Sequence, residues 1–149
     1  YLFYKGLLPE IDPVYPVPYG TTSAPAVSRE VDKNLRLHGS KCENCGAVQY
    51  PPQRTCVKCR SKDRFQPVRL SDKRAKVFTF SMDHISSVID YPAIIAVVDF
   101  DGGGRMECFM TDRIVEEVKI GMDVEMTFRR LFEREGIVHY FWKAMPVRF

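Results

Sequence analysis

Four cysteines, Cys42, Cys45, Cys56 and Cys59, fall into the spacing Cys-x2-Cys-x10-Cys-x2-Cys. Each pair fits a tight knuckle whose two sulfurs point at a common centre, and two knuckles complete a tetrahedron of thiolates around one Zn2+. With sulfur in all four positions no place is left for water, so the spacing predicts a structural zinc and not a catalytic one. Gly46 follows Cys45, where the backbone must turn sharply, whereas Arg60 holds the equivalent place after Cys59. Two disulfides are the competing use of these residues, but disulfides belong to oxidising compartments and nothing resembling a secretory signal precedes the cysteines. A thioredoxin-like Cys-x-x-Cys would sit near a βαβ pattern, and none is legible. A cytoplasmic setting is the expectation.

The elements that position these thiols are small. A module of about 35 residues cannot bury enough apolar surface unaided. Zinc supplies the missing stability, on the order of 10 kcal/mol. The whole chain of 149 residues therefore reads as one ordinary domain with a metal-held satellite. Its 45% hydrophobic and 28% charged residues are a globular composition, neither disordered nor fibrous. The longest aliphatic run, residues 93–98, is far short of the roughly 20 residues a membrane span needs, so no membrane partner is expected.

Three segments follow from the pattern. Residues 1–33 carry Pro9, Pro13, Pro16, Pro18 and Pro25 with Tyr1, Tyr4, Tyr15 and Tyr19, too much proline for helix or internal strand, and read as an extended arm. The chain opens on Tyr and not Met, and the expectation is a trimmed product, an incompletely ordered subunit or the tail of a longer polypeptide. Residues 34–68 form the zinc ribbon, led in by a short strand through Leu35 and Leu37, with Tyr50-Pro51-Pro52 turning towards the second knuckle. Residues 69–149 switch to period-two strands. The first is predicted over 75–84 with Phe78, Phe80 and Met82 on one face, the second over 93–100 buried on both faces, and the third over 105–110. A helical turn or two follows over 111–119 with Asp112 as N-cap, and strands over 123–132 and 137–144 complete the set. Five strands with a short helix between the third and fourth match an OB-fold barrel, so the predicted fold is mainly β: four-Cys zinc ribbon, then five-stranded OB-fold barrel.

Little else in the chain promises chemistry. Gly102, Gly103 and Gly104 join two strands and open no helix, so they read as a hairpin and not a phosphate loop. Cys108 alternates with Met106 and Met110 and reads as a small buried hydrophobe, and His38, His84 and His139 are scattered without metal or triad spacing. No catalytic residue is assigned. Tyr140, Phe141 and Trp142 are consecutive, so they cannot all enter one core, and at least one should meet a partner, a base or the arm.

The net charge of +3 conceals an asymmetry. Residues 53–76 hold Arg54, Lys58, Arg60, Lys62, Arg64, Arg69, Lys73, Arg74 and Lys76 against Asp63 and Asp72, a balance of +7, while residues 77–149 stand at −4. Such a run suits a phosphate-bearing partner, nucleic acid or cofactor, or simply a solvated surface.

The stretch from Leu35 to Cys42, then Cys45-Gly46 and Gln49-Tyr50-Pro51-Pro52, resembles the acyl-CoA-associated family that joins a rubredoxin-like zinc ribbon to an OB-fold. Val97-Val98-Asp99-Phe100, the run from Val118 to Val124 and Tyr140-Phe141-Trp142-Lys143 carry the resemblance over about residues 33–147. One departure is Cys56-Val57-Lys58-Cys59-Arg60, where the family usually has Cys-Pro-x-Cys-Gly. The resemblance implies a non-catalytic accessory subunit or domain that docks on a thiolase-superfamily enzyme for thiolysis, Claisen condensation or retro-aldol cleavage and assists acyl-CoA binding. It implies that Arg54, Lys58, Arg60, Lys62 and Arg64 meet the phosphates of coenzyme A and that Tyr15, Tyr19, Tyr140 and Trp142 meet the partner. The rival is a zinc-ribbon and OB-fold protein binding single-stranded nucleic acid, with aromatics stacking on bases. Against it stands the acidic balance of the barrel segment, so no nucleic acid enters the leading reading.

Overall fold

The prediction of an extended entry gives way first, because the residues just before the ribbon pair charges at helical spacing. Asp32 and Arg36 form an i,i+4 ion pair at 2.8 Å, and Glu30 and Lys33 pair across i,i+3. They brace a short helix, α1 (Val31–Asn34). The computed structural model describes residues 28–85, 88–134 and 137–147, so the reading of residues 1–27, including Tyr15 and Tyr19, lies outside the described residues. Leu35 and Leu37 are not in a strand: Leu35 is exposed, and Leu37, at φ +52°, turns inward and is fully buried.

The ribbon is a three-stranded antiparallel sheet of β1 (His38–Cys42), β2 (Val48–Gln49) and β3 (Phe65–Arg69) in the order β2-β1-β3. The barrel follows with β4 (Arg74–Asp83), β5 (Ala93–Phe100), β6 (Arg105–Phe109), β7 (Asp123–Arg134) and β8 (Ile137–Pro146), in the order β6-β5-β4-β7-β8. A parallel bridge between Met110 and Ala144, with the Thr111 amide donating to the Ala144 carbonyl at 2.9 Å, nearly closes it. This is the predicted five-stranded OB-fold barrel.

Three local predictions are corrected. A β-bulge between Val77 and Thr79 puts an extra residue, Phe78, into β4. Phe80, opposite Ala96, then packs against the core, whereas Met82, opposite Ile94, stays exposed and Phe78 is half-exposed beneath the Arg105 guanidinium, 3.7 Å from its ring centroid. In β5 only one face is fully buried, through Ile94, Ala96, Val98 and Phe100, with Ile95, Val97 and Asp99 half-buried on the other. The helix between the third and fourth barrel strands shrinks to a 3-10 turn, Val115–Glu117, with no side-chain cap. Asp112 adopts φ +51° and accepts a hydrogen bond from Arg129 at 2.9 Å instead of capping a helix.

Ribbon and barrel share one core. Leu37 and Leu70, at the ribbon's inner end, pack with Val77, Ile94, Val98, Met106, Met110 and Val124, and Val48, Tyr50 and Val68 lie against that cluster. The seam passes through the β5–β6 hairpin, where Gly104 has φ +100° and a Cβ added there would come within 3.3 Å of Val48. The glycines that could have suggested a phosphate loop are thus a turn cut close enough for the ribbon to dock.

Candidate metal centre

Both knuckles repeat one backbone pattern. The Gly46 amide donates to the Cys42 carbonyl at 2.9 Å and the Cys42 amide to Ala47 at 2.8 Å; the Arg60 amide donates to Cys56 at 3.0 Å and the Cys56 amide to Ser61 at 2.9 Å. The pattern needs a left-handed residue after the second thiol of each pair. Gly46 supplies it at φ +72° and Arg60 at φ +60°, so the non-glycine second knuckle makes the same turn at a cost of about 1 kcal/mol.

The four Sγ atoms lie within 4.8 Å of one another, with Cys42 to Cys59 and Cys45 to Cys56 both at 3.6 Å. A tetrahedron with Zn–S bonds of about 2.3 Å separates its sulfurs by about 3.8 Å, so these thiols fit one zinc ion. Cys42 and Cys56 are buried, Cys45 and Cys59 half-buried. Hydrogen-bond donors already favour thiolates on one side of the site. The Asn44 side chain and then the Ser61 hydroxyl hold Cys59 down at about 5, and Ser61 also lowers Cys42, its Oγ standing 3.1 and 3.2 Å from the two sulfurs. Cys45 sits high, at about 11: the Ala47 amide favours its thiolate, but burial and the surrounding thiols outweigh that contact. A bound Zn2+ would favour the thiolate form of its ligands.

Gln49 is the residue that sequence reading missed. Buried on β2, it donates through Nε2 to the Thr55 carbonyl at 3.3 Å and accepts the Val57 amide on Oε1 at 3.2 Å, which ties the first knuckle's strand to the second knuckle. Its signal was a polar side chain immediately beside the apolar Tyr-Pro-Pro turn.

The basic run divides. Arg54 grips Asp63 through two hydrogen bonds of 2.8 and 3.0 Å, which raises its own affinity for the proton and lowers that of Asp63. Lys76 pairs with Asp123 at 2.6 Å. Lys58, Arg60, Lys62 and Arg64 are exposed and, among the described residues, enter no ion pair. They sit beside the four thiols, at the end of the sheet where Cys42 pairs with Phe65, four residues or about 13 Å of strand from the barrel end at His38 and Arg69.

Elsewhere, Cys108 is buried and desolvation pushes its thiol up to about 12, so it is a neutral core residue. His84 lies edge-on to Tyr91, and His139 stacks on Phe132. The loop around Asp90 and Pro92 is held to the barrel by Lys143, whose buried Nζ meets Asp90 at 2.6 Å, by Thr111, which donates to the same carboxylate at 3.1 Å, and by Arg113, which donates to the Asp90 and Pro92 carbonyls. Ile85, Ile89 and Tyr91 on this loop and Ile114 beside it are exposed. Of the aromatics assigned to a partner, Tyr140 is exposed on β8, whereas Trp142 is half-buried and donates through Nε1 to the Leu35 carbonyl at 3.1 Å.

A four-thiol ribbon docked on a five-stranded OB-fold barrel is the class of protein that the fold and the site define. Family profiles agree in both halves: one described as ChsH2, rubredoxin-like zinc ribbon domain, matches residues 29–63, and one described as ChsH2, C-terminal OB-fold domain, matches residues 67–129. The chain belongs to the DUF35 family. It is 36% identical over 125 residues to a DUF35 domain-containing scaffold protein of Methanocaldococcus jannaschii, covering 80% of this chain and 87% of that one. A scaffold protein of the same description from Pyrococcus furiosus is 32% identical over 124 residues, covering 80% of this chain and 89% of that one. Among solved structures, the Ltp2-ChsH2(DUF35) aldolase superposes with a TM-score of 0.59 at 20% identity, over 75% of this chain and 85% of that chain, a likeness of fold. No helix among the described residues is long and apolar enough to cross a membrane.

Proposed function

We propose that this chain is the accessory component of a thiolase-superfamily acyl-CoA enzyme, a zinc-braced scaffold in a reducing cytoplasm that docks on a catalytic partner and helps hold its thioester substrate. One observation carries the reading: of five cysteines, four converge on one site fit for a metal and the fifth, Cys108, is walled into the core as a neutral thiol. A reaction that runs through a cysteine nucleophile must take that cysteine from elsewhere. The scaffold relatives and the likeness to a subunit named with an aldolase support the same division of labour.

Lys58, Arg60, Lys62 and Arg64 are the side chains assigned to the pyrophosphate and 3'-phosphate of coenzyme A; Arg54 stands by them but its fork is occupied by Asp63. At the barrel, the exposed apolar group of Ile85, Ile89, Tyr91 and Ile114 is the surface offered to the partner, held rigid by the Lys143–Asp90 pair beneath it. Native co-purification tests the reading. The chain is expected to elute with a thiolase-superfamily enzyme whose turnover falls when the chain is withheld; elution alone, with the enzyme's rate unchanged, overturns it.

A further inference from the structure

The two knuckles run through the same hydrogen bonds, so their residues correspond one to one. Cys42 and Cys45 answer to Cys56 and Cys59, and the left-handed Gly46 to the left-handed Arg60. The Cys42–Cys59 edge of the thiol cluster therefore has a counterpart in the Cys45–Cys56 edge, and both measure 3.6 Å. What surrounds the two edges differs. Ser61, whose carbonyl accepts the Cys56 amide, turns its Oγ onto the first edge, 3.1 Å from Cys42 and 3.2 Å from Cys59. Its counterpart Ala47 accepts the Cys42 amide in the same way but has only a methyl group to offer. Asn44, inside the first knuckle, sends its side chain across to Cys59 in the second, while its counterpart Lys58 is exposed and makes no hydrogen bond to Cys45. One edge is thus tied across the knuckles from both sides. Among the described residues, no side chain other than a thiol reaches Cys45 or Cys56.

We propose that Asn44 and Ser61 are positioning residues of the metal centre: they fix the Cys42–Cys59 edge, so that metal exchange and attack by electrophiles open at Cys45. Thiolates in all four positions around one Zn2+ leave surplus negative charge on sulfur, and a hydrogen-bond donor draws part of it away. Such a bond is charge-assisted. It holds the sulfur in place and ties up the lone pair with which that sulfur would attack an electrophile. Ser61 has a single hydroxyl proton to give, but Asn44 serves Cys59 independently, so Cys59 keeps a donor when the hydroxyl turns to Cys42. Exposure does not distinguish the sulfurs that answer to each other, because Cys45 and Cys59 are both half-buried and Cys42 and Cys56 are both buried. An order of reaction between Cys45 and Cys59 therefore reports the donors and not access. The asymmetry is independent of the catalytic partner.

The test treats the full-length, zinc-loaded chain with a limiting amount of N-ethylmaleimide, whose carbon–carbon double bond takes the sulfur and then a proton from water. Mass spectrometry identifies the labelled cysteine. Cys45 is expected to carry severalfold more label than Cys59. Ser61→Ala should bring the two towards equality and speed the transfer of zinc to a chelator about tenfold. Ser61→Thr, which keeps the hydroxyl, should restore both. In the Co2+-substituted chain the sulfur-to-metal charge-transfer band should move to lower energy in Ser61→Ala, since a sulfur that loses a donor gives up its electrons more readily. Ala47→Ser carries a hydroxyl to the other edge and is expected to lower the label on Cys45, which decides the matter even if Ser61→Ala fails to take up zinc. Equal labelling of Cys45 and Cys59 in the wild type, or a preference for Cys59, overturns the proposal. So does a preference for Cys45 that neither Ser61→Ala nor Ala47→Ser alters, or that Ser61→Thr fails to restore.

Discussion

The ribbon and the barrel are both small antiparallel sheets, yet they are held by different means. The barrel closes over Val77, Ile94, Ala96, Val98, Met106, Met110 and Val124, all buried and apolar, and its strands need no help beyond alternation. The ribbon buries Cys42, Cys56, Ser40 and Gln49 together with Leu37, so thiols and a satisfied amide stand where hydrocarbon would be. One unit draws its stability from surface removed from water, and the other from a metal bond and the turns that aim it. That difference explains why chemistry-bearing side chains crowd the ribbon and contribute little to the barrel.

Removing a metal ligand should separate the two most sharply. Cys56→Ala is expected to abolish stoichiometric zinc and melt strands β1 to β3, forfeiting most of the roughly 10 kcal/mol of metal-coupled folding energy, while amide exchange remains slow in β4 and β5. Acid should reproduce it reversibly. Zinc binding displaces thiol protons, so lowering the pH lets protons compete for the sulfurs, and metal release followed by a zinc indicator should rise as pH falls and not as it climbs. Next in size is Lys143→Ala, which strands the Asp90 carboxylate under the 84–92 loop. A loss of about 3 kcal/mol in denaturant unfolding is expected, with zinc content unchanged. Smaller again is the seam. Gly104→Ala should cost about 1–2 kcal/mol, and adding Val48→Ala should relieve the steric part but not the strain of φ +100°. The least effect is expected from Arg54→Ala, whose partner Asp63 is exposed; the melting temperature should not move measurably.

What could be read from the chain beforehand follows the same divide. The metal site was legible because tetrahedral coordination demands a fixed set of residue types at short spacing, and the second knuckle kept its turn with Arg60 in place of glycine. The barrel was legible where alternation is strict, as along β7, and where an unbroken apolar run marks a strand, as along β5, although that run hid which face is the buried one. It blurred at Phe78, because a bulge reverses the faces without any mark in composition, and at Leu35 and Leu37, where the i,i+4 charges of α1 outweighed two leucines that looked like strand. Asp112 failed as a cap because the helix it was to open is only a 3-10 turn. Gln49 and the Lys143–Asp90 pair escaped notice because buried polar contacts depend on what lies opposite in space, which period and spacing do not encode.

The claim on which scaffold, seam and division of labour all rest is that both knuckles grip a single metal. Elemental analysis of freshly isolated protein, paired with thiol titration after unfolding, tests it most directly. The expected result is one zinc per chain and all five cysteines reduced. Substoichiometric zinc, with Cys42 oxidised to Cys59 and Cys45 to Cys56, would contradict it.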